Sequence, residues 1–280
     1  MDRLVIRSKE HQQELSGIGA RESEMDIQDT IGQRIDNVGT KLEDLAGKKL
    51  GVAEYQQTAA LWIRGILEHD FGVSQYNIHW HMERSEEMSH GGATGFKPPA
   101  GISFNRIAAN KSLVSTLLGN ELDVAHVASP FVLQANTLDR SSRIVGKNDW
   151  SKIRPLFPDR MMEGERFFKN HGFLPVNHTY IIRGDIYRKY PWIAFNLYSG
   201  FVKAKALARQ KLAESIPSAL FFGPEYLAMT RRLIGDDPFP YGIKANQAML
   251  DTITSYSHEQ GLTPRQMKPE ELFAEQTLSL

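Results

Sequence analysis

Glu54, Tyr55, Gln56 and Thr58 lie together in the stretch Lys49-Leu50-Gly51-Val52-Ala53-Glu54-Tyr55-Gln56-Gln57-Thr58, just ahead of Ala59, Trp62, Ile63, Ile66 and Leu67 at helical spacing. The stretch reads as a short buried strand, a polar turn and an amphipathic helix, with Thr58 as its N-cap. The first turn of a helix leaves backbone N–H groups unpaired and carries the positive end of the dipole, so an anion can sit there. The turn has neither GxGxxG nor GxxxxGK[ST], which makes a small carboxylate a better occupant than a nucleotide phosphate. An ordinary strand–helix unit with a capped helix has the same spacing, and both readings stand at this point. A second edge follows the strand-like Glu121–Pro130 stretch, where His126 and Ser129 would face a ligand, or His126 would pack in the core. His79 and His81 share one face of a strand, a geometry that suits a metal pair. No third ligand stands at a recognisable spacing, so no metal site is assigned.

These residues need elements to hold them. Residues 1–40 are polar and weakly periodic, interrupted by Gly17, Gly19, Gly32 and Gly39, and read as a lead-in. Thr40–Ala46 forms a helical turn that Gly47 stops, and Gly72 ends the helix after Thr58. Tyr76–Met82, Ile102–Ala108 and Thr179–Arg183 have strand patterns, and Ser112–Leu118 and Glu163–Lys169 have helical ones. Between them, Glu83–Gly101 is a long polar loop, a lid or an insertion. Pro191 opens a helix running to about Arg209, Asp236–Gly242 is a rigid turn, and Lys244–Gln260 is a helix with Gly261 as its C′ residue. Pro269–Phe273 begins a last short helix. Strands alternating with helices predict an α/β fold with a mainly parallel sheet. Trp192, Phe195, Tyr198 and Phe201 make an aromatic stripe suited to core packing.

Composition narrows the function. Lys+Arg and Asp+Glu are equal at 33 each, which argues against a general grip on nucleic acid or anionic lipid. There is no cysteine, which excludes disulfides, zinc–thiolate sites and cysteine nucleophiles. No run approaches the roughly 18 apolar residues of a spanning helix, and the amino end has no signal-peptide core. The expectation is a cytoplasmic protein with no membrane partner and no cofactor; a homo-oligomer is compatible with it.

Several blocks together resemble the 4,5-dihydroxyphthalate decarboxylases: Gly51–Gly65, Gly172-Phe173-Leu174-Pro175-Val176-Asn177-His178-Thr179, Tyr190-Pro191-Trp192-Ile193-Ala194, and Asp237-Pro238-Phe239-Pro240-Tyr241-Gly242. Tyr256–Pro264 and Pro269–Phe273 are similar too, so the likeness runs from about Thr40 to Leu278. It implies a two-lobed α/β fold of the type II periplasmic-binding-protein kind, closing over a ligand and crossed twice by the chain. The corresponding division is 1–46 as diverged lead-in, 47–176 as second lobe, and 177–280 as the return into the first lobe. Residues 1–39 do not match the family's opening segment, so the N-terminal part of the first lobe reads as missing or diverged. Glu83–His90 reads as an insertion.

The reaction implied is loss of CO2 from a hydroxylated aromatic carboxylate without an organic cofactor. Protonation at the ipso carbon, aided by a ring hydroxyl, would give a keto-like intermediate that expels CO2. Such chemistry needs a general acid near the ring, a base for the phenol and donors for the carboxylates. His178, in a matched block just before an expected strand, is the first candidate for the proton work, and Glu54 the second, as base or as orienter of a histidine. Tyr55, Gln56 and Thr58 would hold the carboxylate, with His126 and Ser129 at the second edge. Arg64 sits about 9 Å along the axis from the cap, where a surface or inter-lobe ion pair is the expectation. A solute-binding protein without catalysis is the alternative from another class.

Overall fold

Leu50, Gly51 and Val52 carry an apolar, partly β-branched run, and they form the centre of a six-stranded sheet. The structure, a computed structural model, describes residues 31–34, 42–87, 89, 95–126, 152–157 and 159–280. Its strands are β1 (Ile31–Arg34), β2 (Lys49–Val52), β3 (His79–Met82), β4 (Ser103–Arg106), β5 (Val124–His126) and β6 (Ile153–Pro155). The sheet order is β4-β3-β2-β5-β1-β6. β2, β3, β4 and β5 are mutually parallel, while β1 runs antiparallel to both its neighbours. The expected α/β class and mainly parallel sheet are therefore observed. One part of the lead-in reading changes: Ile31–Arg34 is a strand of the sheet, with Gly32 paired to Ala125 and Pro155.

Helix α1 (Thr58–Phe71) follows β2, and its residues from Ala59 to Leu67 are all buried. A helix buried on every side needs cover beyond one sheet face. That cover comes from the return of the chain at Ile253–Gln266, which belongs to the same compact unit as the sheet. Gly65 marks the contact, since a Cβ there would lie 2.0 Å from the Tyr256 ring. Trp62 meets the same ring edge-on at 5.8 Å. Gly72 closes α1 in the left-handed region at φ 69°, its N–H donating to Glu68 O. Beneath the sheet, Leu45, Leu50, Tyr55, Ile63, Trp80 and Met82 pack as one core. Helix α2 (Leu113–Leu118), capped by Ser112, closes a second one with Leu122 and Ala125.

A second compact unit holds residues 167–252 and 267–280 of the described chain, and it is helical. Helix α3 (Arg160–His171) leads into it, followed by α4 (Gly184–Lys189), α5 (Ile193–Ala219), α6 (Gly223–Ile234), the first part of α7 (Gln247–Glu259), whose residues from Ile253 on belong to the sheet unit, and α8 (Pro269–Leu272). The strand expected at Thr179–Arg183 is not formed, and residues 174–183 carry no regular structure. Tyr180 and Ile181 are exposed, and among the described residues no strand pairs with them. Helix α6 went unrecognised in the sequence, although Pro224 at its first turn is a usual start signal. The Asp236–Gly242 turn is held by Lys205, which pairs with Asp237 and bonds the Phe239 carbonyl. Gly242, at φ 103°, lies against the carboxyl end of the chain, where a Cβ would be 2.9 Å from the Leu280 carbonyl carbon.

Candidate functional site

Parallel strands direct their carboxyl ends to one edge of a sheet, and ligands of open α/β sheets bind there, where the strand order reverses. Here β2 is followed by α1 and then β3 on one side, while β5 lies on the other. The reversal therefore falls between the ends of β2 and β5. The turn Ala53–Gln57 leaves the first of these ends, and His126 is the last residue of the second.

Helix α1 begins at this edge. Gln57 is its N-cap, with extended backbone (φ −68°, ψ 149°), and its carbonyl accepts from Leu61 N at 3.0 Å. Thr58, expected as the cap, is instead the first helical residue. The shift of one residue follows from the turn, whose chain reverses through a Gln57 N–H to Glu54 O bond. The N–H groups of Thr58, Ala59 and Ala60 precede the first intrahelical bond and face the edge with the positive end of the helix.

Glu54 is buried, yet both its oxygens have donors: Arg84 Nη1 reaches Oε1 at 2.9 Å, and Gln56 Nε2 reaches Oε2 at 2.8 Å. A buried carboxylate so engaged suits anchoring better than proton abstraction. Arg84 is a residue the sequence reading missed, because it falls in what looked like an insertion. The sheet register supplies the signal. β2 and β3 pair at a constant offset, Lys49 with His79 and Val52 with Met82, and the same offset carries Glu54 to Arg84. The pairing continues past the strands through Glu83 N to Val52 O and Arg84 N to Ala53 O.

Tyr55 does not fit the expected role of binding substrate through its side chain. Its ring is fully buried between Trp80, Phe96 and Phe104, and its hydroxyl donates to Gln75 Oε1 at 2.6 Å. Burial pushes its hydroxyl up to about 12. Gln56 stays at the edge, with Nε2 also 3.3 Å from Ser89 Oγ, while its buried Oε1 has no donor among the described residues. His126 is half-buried, its Nδ1 3.1 Å from Gln57 Nε2. Ser129 lies outside the described residues. His178 belongs to the other unit, exposed on the extended stretch after α3, and the strand that motivated its selection is absent. Within the sheet unit the structure thus brings together Glu54, Gln56, Thr58 and His126 and adds Gln57 and Arg84, while His178 belongs to the other unit.

Arg64 departs from the ion pair expected of it. Its guanidinium is wholly buried, 3.8 Å above the Tyr55 ring, with Nε donating to Gln260 Oε1 and Nη1 to the Tyr55 carbonyl, each at 2.7 Å. Burial lowers it to about 10, the nearby Tyr55 pulling the other way. Gln260 also donates to Leu61 O at 2.9 Å, so the blocks Gly51–Gly65 and Tyr256–Pro264 of the sequence resemblance are clipped together in space. His79 is engaged with Ser103 through Nδ1. Among the described residues, no group of three His, Cys, Asp or Glu is arranged to hold a metal. No described helix is long and apolar enough to cross a membrane.

No family model matches the chain. A 4,5-dihydroxyphthalate decarboxylase from Comamonas testosteroni is 28% identical over 233 residues, which is 82% of this chain and 67% of that protein. Another, from Pseudomonas putida, is 35% identical over 80 residues, 29% of this chain and 31% of that protein. Among solved structures, the periplasmic aliphatic sulphonate binding protein SsuA from Escherichia coli aligns with a TM-score of 0.46 and 13% identity, covering 91% of this chain and 71% of that one. The resemblance to 4,5-dihydroxyphthalate decarboxylases thus extends through most of the chain.

Proposed function

We propose that this chain is a decarboxylase of a hydroxylated aromatic carboxylate of the 4,5-dihydroxyphthalate kind. The reading is supported chiefly by likeness to decarboxylases over 82% of the chain. The edge between β2 and β5 supplies fitting chemistry. A substrate carboxylate would meet the N–H groups of Thr58, Ala59 and Ala60, with Arg84 close by through Glu54. His126 would stand against an oxygen of the same ligand, and Gln56 beside it. Carboxylate loss proceeds by protonation of the ring at the ipso carbon. The ring hydroxyl gives up its proton to solvent and a solvent-derived proton arrives at the ipso carbon, giving the keto-like intermediate; the C–C bond electrons then return to the ring as CO2 departs, leaving a phenolate that takes a proton back from solvent. Holding the carboxylate fixed at the helix terminus while the ring is protonated is the contribution of the site.

The test is CO2 release from 4,5-dihydroxyphthalate by the purified chain. Turnover supports the reading, with a loss of at least tenfold expected in His126→Ala. Saturable binding without CO2 would instead support a solute-binding protein, and neither binding nor turnover overturns both. His178 is assigned to proton transfer by the sequence resemblance alone, and near-normal turnover in His178→Ala removes it from the mechanism.

A further inference from the structure

Strand β3 turns two imidazoles toward the face of the sheet opposite its main core. Its side chains alternate: Trp80 and Met82 are fully buried, whereas His79 is exposed and His81 half-buried. The register sets the rows on that face. Lys49, His79 and Ser103 stand side by side, and Gly51, His81 and Asn105 form the next row. Apolar cover is tight over β2, where Leu113 and Leu122 press on Gly51 so closely that a Cβ there would lie 2.6 Å from each. Two strands further out, Asn105 is exposed and Ser103 half-buried. Parallel sheets ordinarily bury both faces and carry apolar residues on each. Here the positions that would do so on β3 are both histidine.

We propose that His79 and His81 form a binding site for one divalent first-row transition cation of the zinc kind, with Asn105 as an oxygen donor beside them. Alternate residues of a strand lie about 6.6 Å apart at roughly 3.3 Å per residue. Two metal–imidazole bonds of about 2.0–2.1 Å span about 4 Å of that separation, and the rings close on one ion by leaning toward each other. Ser103 prepares the first ring, its Oγ lying 2.8 Å from Nδ1 of His79. With Nδ1 donating to the hydroxyl, Nε2 keeps the lone pair that a cation needs. Imidazole nitrogen selects zinc, copper and nickel over magnesium and calcium, which prefer oxygen. Two charged groups flank the pair on the same row as His79. Asp123, whose Oδ2 accepts from the Lys49 backbone N at 2.9 Å, favours a cation, and the Lys49 ammonium opposes it. Two imidazoles are fewer than the three or four protein ligands of resident zinc, so this site fills and empties with the free-ion concentration. It is independent of the decarboxylase reading and takes no part in that chemistry.

The experiment is isothermal titration calorimetry of the full chain with zinc chloride at pH 7.5, with magnesium chloride as the oxygen-seeking control. One zinc per chain is expected at micromolar affinity, and no heat from magnesium. His79→Gln and His81→Gln each weaken zinc binding at least tenfold, while Lys49→Met, which removes the opposing charge, tightens it at least twofold. The chain has nine histidines, so zinc affinity unchanged in both histidine variants assigns the ion to other rings and overturns the proposal. Absence of zinc binding overturns it as well, as does equal binding of magnesium. If His81→Gln does not fold, nitrogen-15 NMR of the histidine-labelled wild-type chain takes its place. Zinc must then move the His79 ring signals, identified by their loss in His79→Gln, together with those of one further histidine. His79 signals that stay in place at saturating zinc refute the site.

Discussion

Replacing Arg64 by Met removes a buried charge and two hydrogen bonds at once, and the balance between them can be worked out. Lowering of the guanidinium from 12.5 to about 10 by burial corresponds to about 3 kcal/mol at roughly 1.4 kcal/mol per pH unit, and the substitution relieves that cost. Against it, Tyr55 O and Gln260 Oε1 lose the donors that hold them at 2.7 Å. Each buried acceptor left unpaired costs about 1–3 kcal/mol. The stacking of the guanidinium on Tyr55 at 3.8 Å adds about 2 kcal/mol for a desolvated pair. Losses of about 4–8 kcal/mol against a relief of about 3 leave a net destabilisation of about 1–5, centred near 3. Urea unfolding followed by tryptophan fluorescence reads it as a lower midpoint at constant slope. Gln260→Met provides the second arm. Because Arg64 and Gln260 share a bond, the double variant should be less damaged than the sum of the singles, by about 1–2 kcal/mol. A loss under 1 kcal/mol in Arg64→Met, or additivity within about 0.5 kcal/mol, would refute the view that this guanidinium fastens the turn.

Other outcomes follow from the same structure. Gly65→Ala forces a methyl group onto the Tyr256 ring, and it should cost about 1–3 kcal/mol by overpacking despite the better helix propensity of alanine; a rise in thermal midpoint would contradict the packing described. Gly242→Ala strains a backbone at φ 103° and collides with Leu280, so a loss of about 1–3 kcal/mol is expected in denaturant titration. His81 is held below its usual value of 6.5, by burial first and then by Lys49 and His79. The unfolded chain therefore binds the proton more readily, so stability is full above about pH 6.5 and falls as the pH drops below it. His81→Gln should flatten that part of the stability–pH curve, and an unchanged slope would count against the burial argument.

Much of the sheet unit is legible from residue types alone. The β2–turn–α1 unit announces itself by an apolar run, a polar turn and helical spacing, and Gly47 and Gly72 stop their elements where expected. Residue type favours Thr58 as the cap, because it is the better capping side chain, while the turn geometry gives the position to Gln57, which uses no side-chain cap bond. Tyr55 is ambiguous in the sequence for a related reason: in a short turn, alternate side chains point to opposite sides, and only the register shows which side is core. Arg84 and Gln57 gain their significance from partners 30 and 69 residues away, and such pairings follow from strand order, which local patterns do not encode. The Thr179–Arg183 pattern shows the reverse failure. Its residues favour a strand, but among the described residues no neighbouring strand accepts their hydrogen bonds, and propensity without a partner does not make a sheet.

The bond between Arg64 and Gln260 spans 196 residues of chain. At ribosomal speeds of about 5–20 residues per second, roughly 10–40 seconds pass after Arg64 is made before its acceptor exists. Throughout that interval Arg64 lacks its Gln260 acceptor, so the sheet unit can gather early but can set only after Gln260 has been made. A translational stall between these two residues should therefore expose this unit to proteases far more than an equal delay after Gln260.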